Sequence, residues 1–132
     1  LFLNPSQVWL QPPGYVSRMI ARHYQPVSVP IRVVNNDQVK AAAARSEDGK
    51  VLVLRVVNIN NQPRSAIIEL DGFTPVKATA AIEELSGPMN ATNTADAPNR
   101  IVPQSNNWLH KFAQGRTTRV FPPHSFTVMQ FE

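Results

Sequence analysis

The sequence predicts an all-β domain, an antiparallel two-sheet β-sandwich of the jelly-roll-like kind, preceded by one strand-helix unit. Only one segment has the periodicity of a helix, whereas 12 Pro residues and many Val and Thr residues are spread over 132 residues. Short β-branched runs recur with turn signals between them, and they show no repeat of fixed period. A chain of this length is expected to fold around a single core.

The first residues predict a strand, a loop and a helix. The apolar run Leu1 to Leu3 ends at a turn that contains Pro5. A helix is predicted from Tyr15 to about Tyr24, and it stops before Pro26, which lacks a backbone donor and disfavours a helical predecessor. Its apolar stripe has helical spacing and consists of Val16, Met19, Ile20 and either His23 or Tyr24. A lone amphipathic helix must dock on the sandwich or on a body outside this chain.

A β-hairpin is predicted between Val39–Ser46 and Lys50–Asn58. Its turn contains Asp48-Gly49, and Asp-Gly is favoured there because it supplies positive φ angles. The second strand is almost continuously apolar from Val51 to Val57, with Arg55 as the interruption. We therefore expect this strand at the centre of a sheet, covered on most of both faces.

Further strands and one long loop are predicted along the rest of the chain. The strands are Val29–Val34, Ser65–Leu70, Lys77–Leu85 and a final hairpin of Thr117–Phe121 with Ser125–Phe131 around Pro122-Pro123-His124. The segment from Met89 to Ile101 has little apolar content, which predicts an irregular excursion over the surface.

Charge and composition exclude several partners. The net charge is +4, but Lys and Arg occur singly, so the sequence lacks the clustering that a nucleic-acid site needs. No apolar run approaches the roughly 18 residues of a membrane span, and no membrane partner is expected. The absence of Cys excludes disulfides and thiolate metal sites.

The titratable side chains suggest no catalytic or metal site. The histidines are isolated from one another, at His23, His110 and His124. None belongs to a metal-binding pattern, so no metal or other cofactor is expected. Glu83 and Glu84 should face opposite sides of a strand, and all nine carboxylates are expected on the solvated surface. His124 is expected to fix the final turn through a bond from its side chain to the backbone.

Three stretches spread over the chain carry a family resemblance. They are Leu85-Ser86-Gly87-Pro88-Met89-Asn90-Ala91-Thr92-Asn93-Thr94 with Ile101-Val102-Pro103, Phe121-Pro122-Pro123-His124-Ser125-Phe126-Thr127, and Trp9-Leu10-Gln11-Pro12-Pro13-Gly14-Tyr15-Val16. The first combines a small-residue turn with an Asn-rich loop, the second resembles a final hairpin, and the third resembles the end of a (β/α)8 barrel just before a sandwich domain. Together they resemble the C-terminal part of α-L-arabinofuranosidases of glycoside hydrolase family 51.

The resemblance implies two parts and an incomplete enzyme. Residues 1–27 would be the last strand and helix of a truncated (β/α)8 catalytic barrel, and residues 28–132 a C-terminal accessory β-sandwich. A whole barrel needs about 250 residues. The catalytic acid/base and nucleophile of a retaining glycosidase, two Glu residues in this family, are therefore expected outside this chain, which should be inactive alone.

The implied function belongs to the parent enzyme, which would release terminal α-L-arabinofuranosyl residues from polysaccharides or oligosaccharides. The expected partners are the remainder of its own catalytic barrel and, through the parent, arabinose-containing glycans. A homo-oligomer is a further possible partner, and the sequence does not decide the oligomeric state. The alternative function is a non-catalytic carbohydrate-binding module, and a third is a purely structural sandwich without a sugar ligand.

Aromatic residues bear on these alternatives. Trp9 is the candidate substrate-binding residue, because residues that follow barrel strands line the active site and flat rings serve as sugar platforms. Packing beneath the helix is the alternative for Trp9, and Trp108 is expected in the core or an interface. A binding module would present coplanar rings on one face, whereas four rings alternate along strands in a way that predicts burial. These are Phe112, Phe121, Phe126 and Phe131.

Overall fold

The computed structural model describes residues 2–4, 7–34, 38–88 and 91–132, with side chains from Leu10 onward. The elements are β1 (Phe2–Asn4), β2 (Gln7–Trp9), α1 (Pro12–Arg22), β3 (Val27–Val29), β4 (Val39–Arg45), β5 (Leu52–Asn58), β6 (Arg64–Glu69), β7 (Thr79–Ser86), β8 (Gln104–Leu109), β9 (Arg116–Phe121) and β10 (Ser125–Phe131). Among the described residues, no helix has the length and apolar character that a membrane crossing needs.

Two antiparallel sheets form the sandwich, which confirms the predicted fold class. The large sheet has the order β3-β4-β5-β10-β7-β8, and the small sheet pairs β6 with β9. The small sheet supplies Ile68 and Phe121 to a core shared with the inner face of the large sheet. That face contributes Leu52, Leu54, Val56, Ile82, Met129 and Phe131. The remaining strands, β1 and β2, form a separate antiparallel hairpin before the helix.

The helix packs on the outer face of the large sheet. Tyr15 and Met19 are buried there in a second apolar cluster with Val53, Leu85 and Val128. The helix starts earlier than expected, because prolines at its first positions fit the fixed φ of a helical N-terminus. The predicted stripe is partly wrong. Met19 is buried, Val16 packs against the cluster and His23 is half-buried against β7, whereas the exposed fractions of Ile20 and Tyr24 are 36% and 72%. These two residues lie on the side away from the sheet.

The predicted β4–β5 hairpin is confirmed. Arg45 pairs with Leu52 and Val39 with Asn58, and Gly49 in the turn has a φ of 73°. The strand β5 lies between β4 and β10, and all of its residues are buried or half-buried. Its almost continuous apolar sequence therefore matches a central strand that is covered on both faces.

The predicted final hairpin is wrong. The strand β9 pairs with β6 in the small sheet, whereas β10 pairs with β5 and β7 in the large sheet. The segment from Pro122 to His124 therefore crosses between the sheets. The physical reason lies in the two burial patterns, because β9 alternates between exposed and covered positions while β10 has no exposed residue. One face of β10 contributes Met129 and Phe131 to the core, and the other contributes Val128 to the cluster under the helix, so β10 belongs in the large sheet, which is covered on both faces.

Smaller differences concern the ends of the elements. The strand expected at Val29–Val34 is β3 at Val27–Val29, and residues 30–34 are not in a strand. The strand β8 was not predicted, since its first four residues are polar and exposed, as befits an edge strand. The irregular excursion is confirmed for residues 91–101, while Met89 and Asn90 lie outside the described residues, as does Leu1 of the predicted first strand.

Candidate functional site

The region where the segment Leu10–His23 meets the sandwich is called the junction here. One end of the junction is organised by Asn93, which lies in the irregular loop between β7 and β8 and is 2% exposed. Its Nδ2 donates to the carbonyl oxygens of Leu10 at 2.7 Å and Ile101 at 2.9 Å. Its Oδ1 accepts a hydrogen bond from the backbone N–H of Ile101 at 2.7 Å. Asn93 thus connects Leu10, shortly before the helix, to Ile101, near the β8 end of the loop.

The side chain of Gln11 binds the same loop. Its Oε1 accepts from the backbone N–H of Asn93 at 2.8 Å, and its Nε2 donates to the backbone oxygen of Asn93. Gln11 is the N-cap residue of α1 and makes no side-chain cap. Its amide pairs with the loop instead of satisfying the free N–H groups of the first helical turn.

The other end of the junction is organised by Glu83 on the outer face of β7. Glu83 is 4% exposed. Its Oε2 lies 2.9 Å from Nη1 of Arg22, and its Oε1 lies 3.4 Å from Nε2 of His23. The Nδ1 of His23 is 3.1 Å from Oε1 of Gln130 on β10. The last turn of the helix is thus joined to two strands of the large sheet.

Glu84 points to the opposite face of β7, between the two sheets. Its Oε2 accepts from Oγ1 of Thr127 at 2.7 Å and from Nη2 of Arg119 at 3.3 Å. The guanidinium of Arg119 lies over the ring of Trp108, 4.8 Å from its centroid. The predicted opposite orientation of Glu83 and Glu84 is confirmed. Their predicted solvation is wrong, because the helix covers one carboxylate and the small sheet shields the other.

The remaining histidines have structural surroundings. His110 is buried, its Nε2 lies 2.7 Å from the carbonyl oxygen of Lys77, and its ring packs against Phe112 and Phe131. His124 has a φ of 49°, and its backbone N–H donates to Asn60. The expected bond from the His124 side chain is not found, since its buried Nδ1 has no partner among the described residues. No group of three potential metal ligands occurs within the described part of the chain.

The two tryptophans lie in different parts of the fold, Trp9 in β2 and Trp108 in β8. The backbone of Trp9 ends β2, but its side chain lies outside the described residues, so its proximity to substrate stays a prediction. Trp108 packs against the core and meets Phe131 edge to face at 6.5 Å, which confirms its expected position. The burial of the four Phe rings is confirmed as well, with Phe121 and Phe131 fully buried and the other two half-buried.

An apolar groove of about 800 Å³ opens beside the N-terminal end of α1. Pro12 and Val16 of the helix, Leu85 and Phe126 of the large sheet, and His124 are among the residues that line it. The groove lies next to the Asn93 contacts, since Gln11, Ala91 and Ile101 also line it.

Sequence reasoning did not single out Asn93, Gln11 or Glu83 as junction residues. An Asn in a polar loop is typical of turns, and the partners of Asn93 at the junction are 82 and 83 residues away in sequence. The sequence feature that indicates a covered charge is the adjacent pair Glu83-Glu84 within an otherwise apolar strand. A charge at a covered strand position requires a partner, and both partners are basic residues distant in sequence.

Comparison with known proteins identifies the family. A profile described as "Alpha-L-arabinofuranosidase C-terminal domain" matches residues 1–125. None of the curated protein sequences compared with the chain matches it. The fold is similar to the arabinose-bound MgGH51 α-L-arabinofuranosidase, with a TM-score of 0.85 and 20% identity over 97% of this chain and 20% of that chain.

Two further structures are from Thermotoga. The α-L-arabinofuranosidase from Thermotoga petrophila has a TM-score of 0.78 at 24% identity, over 98% of this chain and 30% of that chain. The arabinose complex from Thermotoga maritima has a TM-score of 0.75 at 25% identity, over 94% and 29%. The chain thus spans less than a third of the length of these enzymes. The profile match shows that the chain belongs to the family of α-L-arabinofuranosidase C-terminal domains.

Proposed function

We propose that residues 1–27 are the last strand and helix of a (β/α)8 catalytic barrel and that residues 28–132 are its accessory sandwich. The observation that carries this proposal is the outward side of α1. Opposite the buried Tyr15 and Met19, the helix and the residue after its C-cap expose only small, apolar or aromatic side chains. These are Pro13, Ser17, Ile20, Ala21 and Tyr24.

An exposed helix face usually carries charged residues. The two arginines of α1 lie outside this outward stripe, since Arg18 stacks over Tyr15 and Arg22 pairs with Glu83. An uncharged stripe opposite a buried stripe is typical of a helix that packs between two layers. One layer is the sandwich, and we assign the other to the barrel of the parent enzyme.

The proposed parent releases terminal α-L-arabinofuranosyl residues from arabinose-containing glycans, and the sandwich covers part of its barrel. Retaining glycosidases need two carboxyl groups about 5 Å apart. Glu83 and Glu84 are unsuited to this chemistry, since they lie on opposite faces of β7 and each is held by a cation. From the family resemblance, we propose that both catalytic carboxylates lie in the preceding part of the parent.

The test is hydrolysis of p-nitrophenyl α-L-arabinofuranoside by the full-length parent and by residues 1–132 alone. We expect an active parent and an inert fragment. An active fragment would contradict the assignment of the catalytic residues. If both proteins were inert, the proposal would fail and a sugar-binding assay would become the next experiment. Such binding has little support here, because Tyr24 is the only exposed aromatic residue among the described side chains.

A further inference from the structure

We infer that Asn93 is a positioning residue for the reaction of the parent enzyme. Through Leu10 and Gln11, it fixes the loop that leads from the last barrel strand to the last barrel helix. This inference rests on the proposed function, in which β1 is the last barrel strand and α1 the last barrel helix. The described part of this loop is residues 7–11, which include β2.

The loop receives its tertiary support from the sandwich. Within the described residues, β1 and β2 pair only with each other, so their ladder does not attach them to another sheet. Three hydrogen bonds cross from Asn93 to the end of the loop, one to the carbonyl oxygen of Leu10 and two to the side chain of Gln11. These bonds hold the loop where it enters the helix.

Asn93 is itself held firmly. Both its Oδ1 and its Nδ2 bind the backbone of Ile101, which is 9% exposed and belongs to the apolar cluster under the helix. The loop is therefore anchored to the apolar cluster between the helix and the outer face of the large sheet. The anchor is directional, because hydrogen bonds constrain both distance and angle.

This anchor matters for catalysis because of where the loop lies. In a (β/α)8 enzyme, the loops that follow the strands form the active-site face. A displacement of about 1 Å in groups that position substrate can cost as much as 100-fold in rate. By this inference, the accessory sandwich contributes to the geometry of the active site, although it supplies no group that touches the reacting atoms.

Asn58 provides a matched control. It is also a fully buried asparagine, and its Nδ2 contacts the carbonyl oxygens of Gln62, Phe121 and Pro122. All of these partners lie within the sandwich. Substitution of Asn58 should therefore destabilise the domain as substitution of Asn93 does, without releasing residues 7–11.

The experiment compares the Asn93→Ala, Gln11→Ala and Asn58→Ala variants of the full-length parent. We would measure kcat and KM on p-nitrophenyl α-L-arabinofuranoside at a temperature where all variants are folded by circular dichroism. We expect Asn93→Ala and Gln11→Ala to lower kcat by about tenfold or more, with KM changing less than kcat. We expect Asn58→Ala to lower Tm while both constants stay within about twofold of the wild type.

The possible outcomes are distinguishable. Should the wild-type parent be inactive, the proposed function and this inference fail together. An active wild type whose Asn93→Ala and Gln11→Ala variants behave like Asn58→Ala would overturn the inference alone. If Asn93→Ala does not fold, Gln11→Ala decides, because it removes only the side chain of a half-buried residue.

Discussion

Nη1 of Arg22 lies 2.9 Å from Oε2 of Glu83, and this ion pair joins the last turn of α1 to the outer face of the large sheet. The two partners differ in exposure, since the side chain of Arg22 is 52% exposed and that of Glu83 is 5% exposed. The pair therefore serves mainly to provide a cation for a carboxylate that the helix has removed from water.

Removal of the cation should destabilise the domain. We expect Arg22→Ala to lower the free energy of unfolding by about 1 to 2 kcal/mol, because it leaves the buried carboxylate of Glu83 with a weaker set of partners. Urea unfolding of residues 1–132 measures this loss. The matched control is Arg116→Ala, whose exposed pair with Glu69 should contribute less than about 0.5 kcal/mol. Equal losses of unfolding free energy in the two variants would show that the burial of Glu83 does not increase the contribution of its ion pair to stability.

Gly115 should tolerate alanine less well than Gly72. Both have positive φ angles, 77° and 80°, which cost an L-residue about 1 to 2 kcal/mol. A Cβ at Gly115 would lie 2.9 Å from the carbonyl oxygen of Leu70, whereas a Cβ at Gly72 meets nothing within 4 Å. We therefore expect Gly115→Ala to lower Tm further than Gly72→Ala does. Equal shifts would mean that the backbone at Leu70 moves aside without cost.

Local sequence signals predicted the elements whose partners are close in the chain. The β4–β5 hairpin followed from Asp48-Gly49, and the central place of β5 followed from its continuous apolar residues. The segment from Ser125 to Phe131 gives no such signal, because Ser125, Thr127 and Gln130 interrupt its apolar residues. The nearness of Thr117–Phe121 favoured a hairpin instead. A sequence does not state which distant strands will flank a buried one, and here they are β5 and β7.

The junction was harder to predict than the sandwich. Glu83 is buried because α1, whose Arg22 is 61 residues earlier in the chain, lies over it. The adjacent pair Glu83-Glu84 indicates that one of the two carboxylates is covered, but the strand itself does not show which element covers it. The Asn-rich loop carries part of the family resemblance. The role of Asn93 follows only from the side-chain contacts, because Asn is equally common in turns that make no such bonds.

The β4–β5 turn should show a measurable pH effect at Asp48. The hydrogen bond from Oγ of Ser46, at 2.6 Å, and the backbone N–H of Lys50 lower the pKa of Asp48 below its ordinary value of 3.8. A lowered pKa in the folded state adds stability above pH 3.8, and this stability is lost as the pH falls through the folded pKa. We expect Ser46→Ala to move the NMR titration midpoint of Asp48 upward. A midpoint that stays in place would contradict the assigned cause.

The isolated chain should self-associate through a strand edge that its small sheet leaves unpaired. Among the described strands, β6 has only β9 as a partner, so its other edge is free. A free strand edge is a site for pairing with a second chain.

Sedimentation velocity over a range of protein concentrations tests this expectation. We expect the weight-average mass to rise with concentration, and Ile67→Lys on β6 to reduce the rise, because a charged residue on an edge strand disfavours pairing. Val76→Lys is the control, since Val76 is 93% exposed and lies outside every strand. A chain that is monomeric throughout, or equal effects of the two substitutions, would exclude association through the β6 edge.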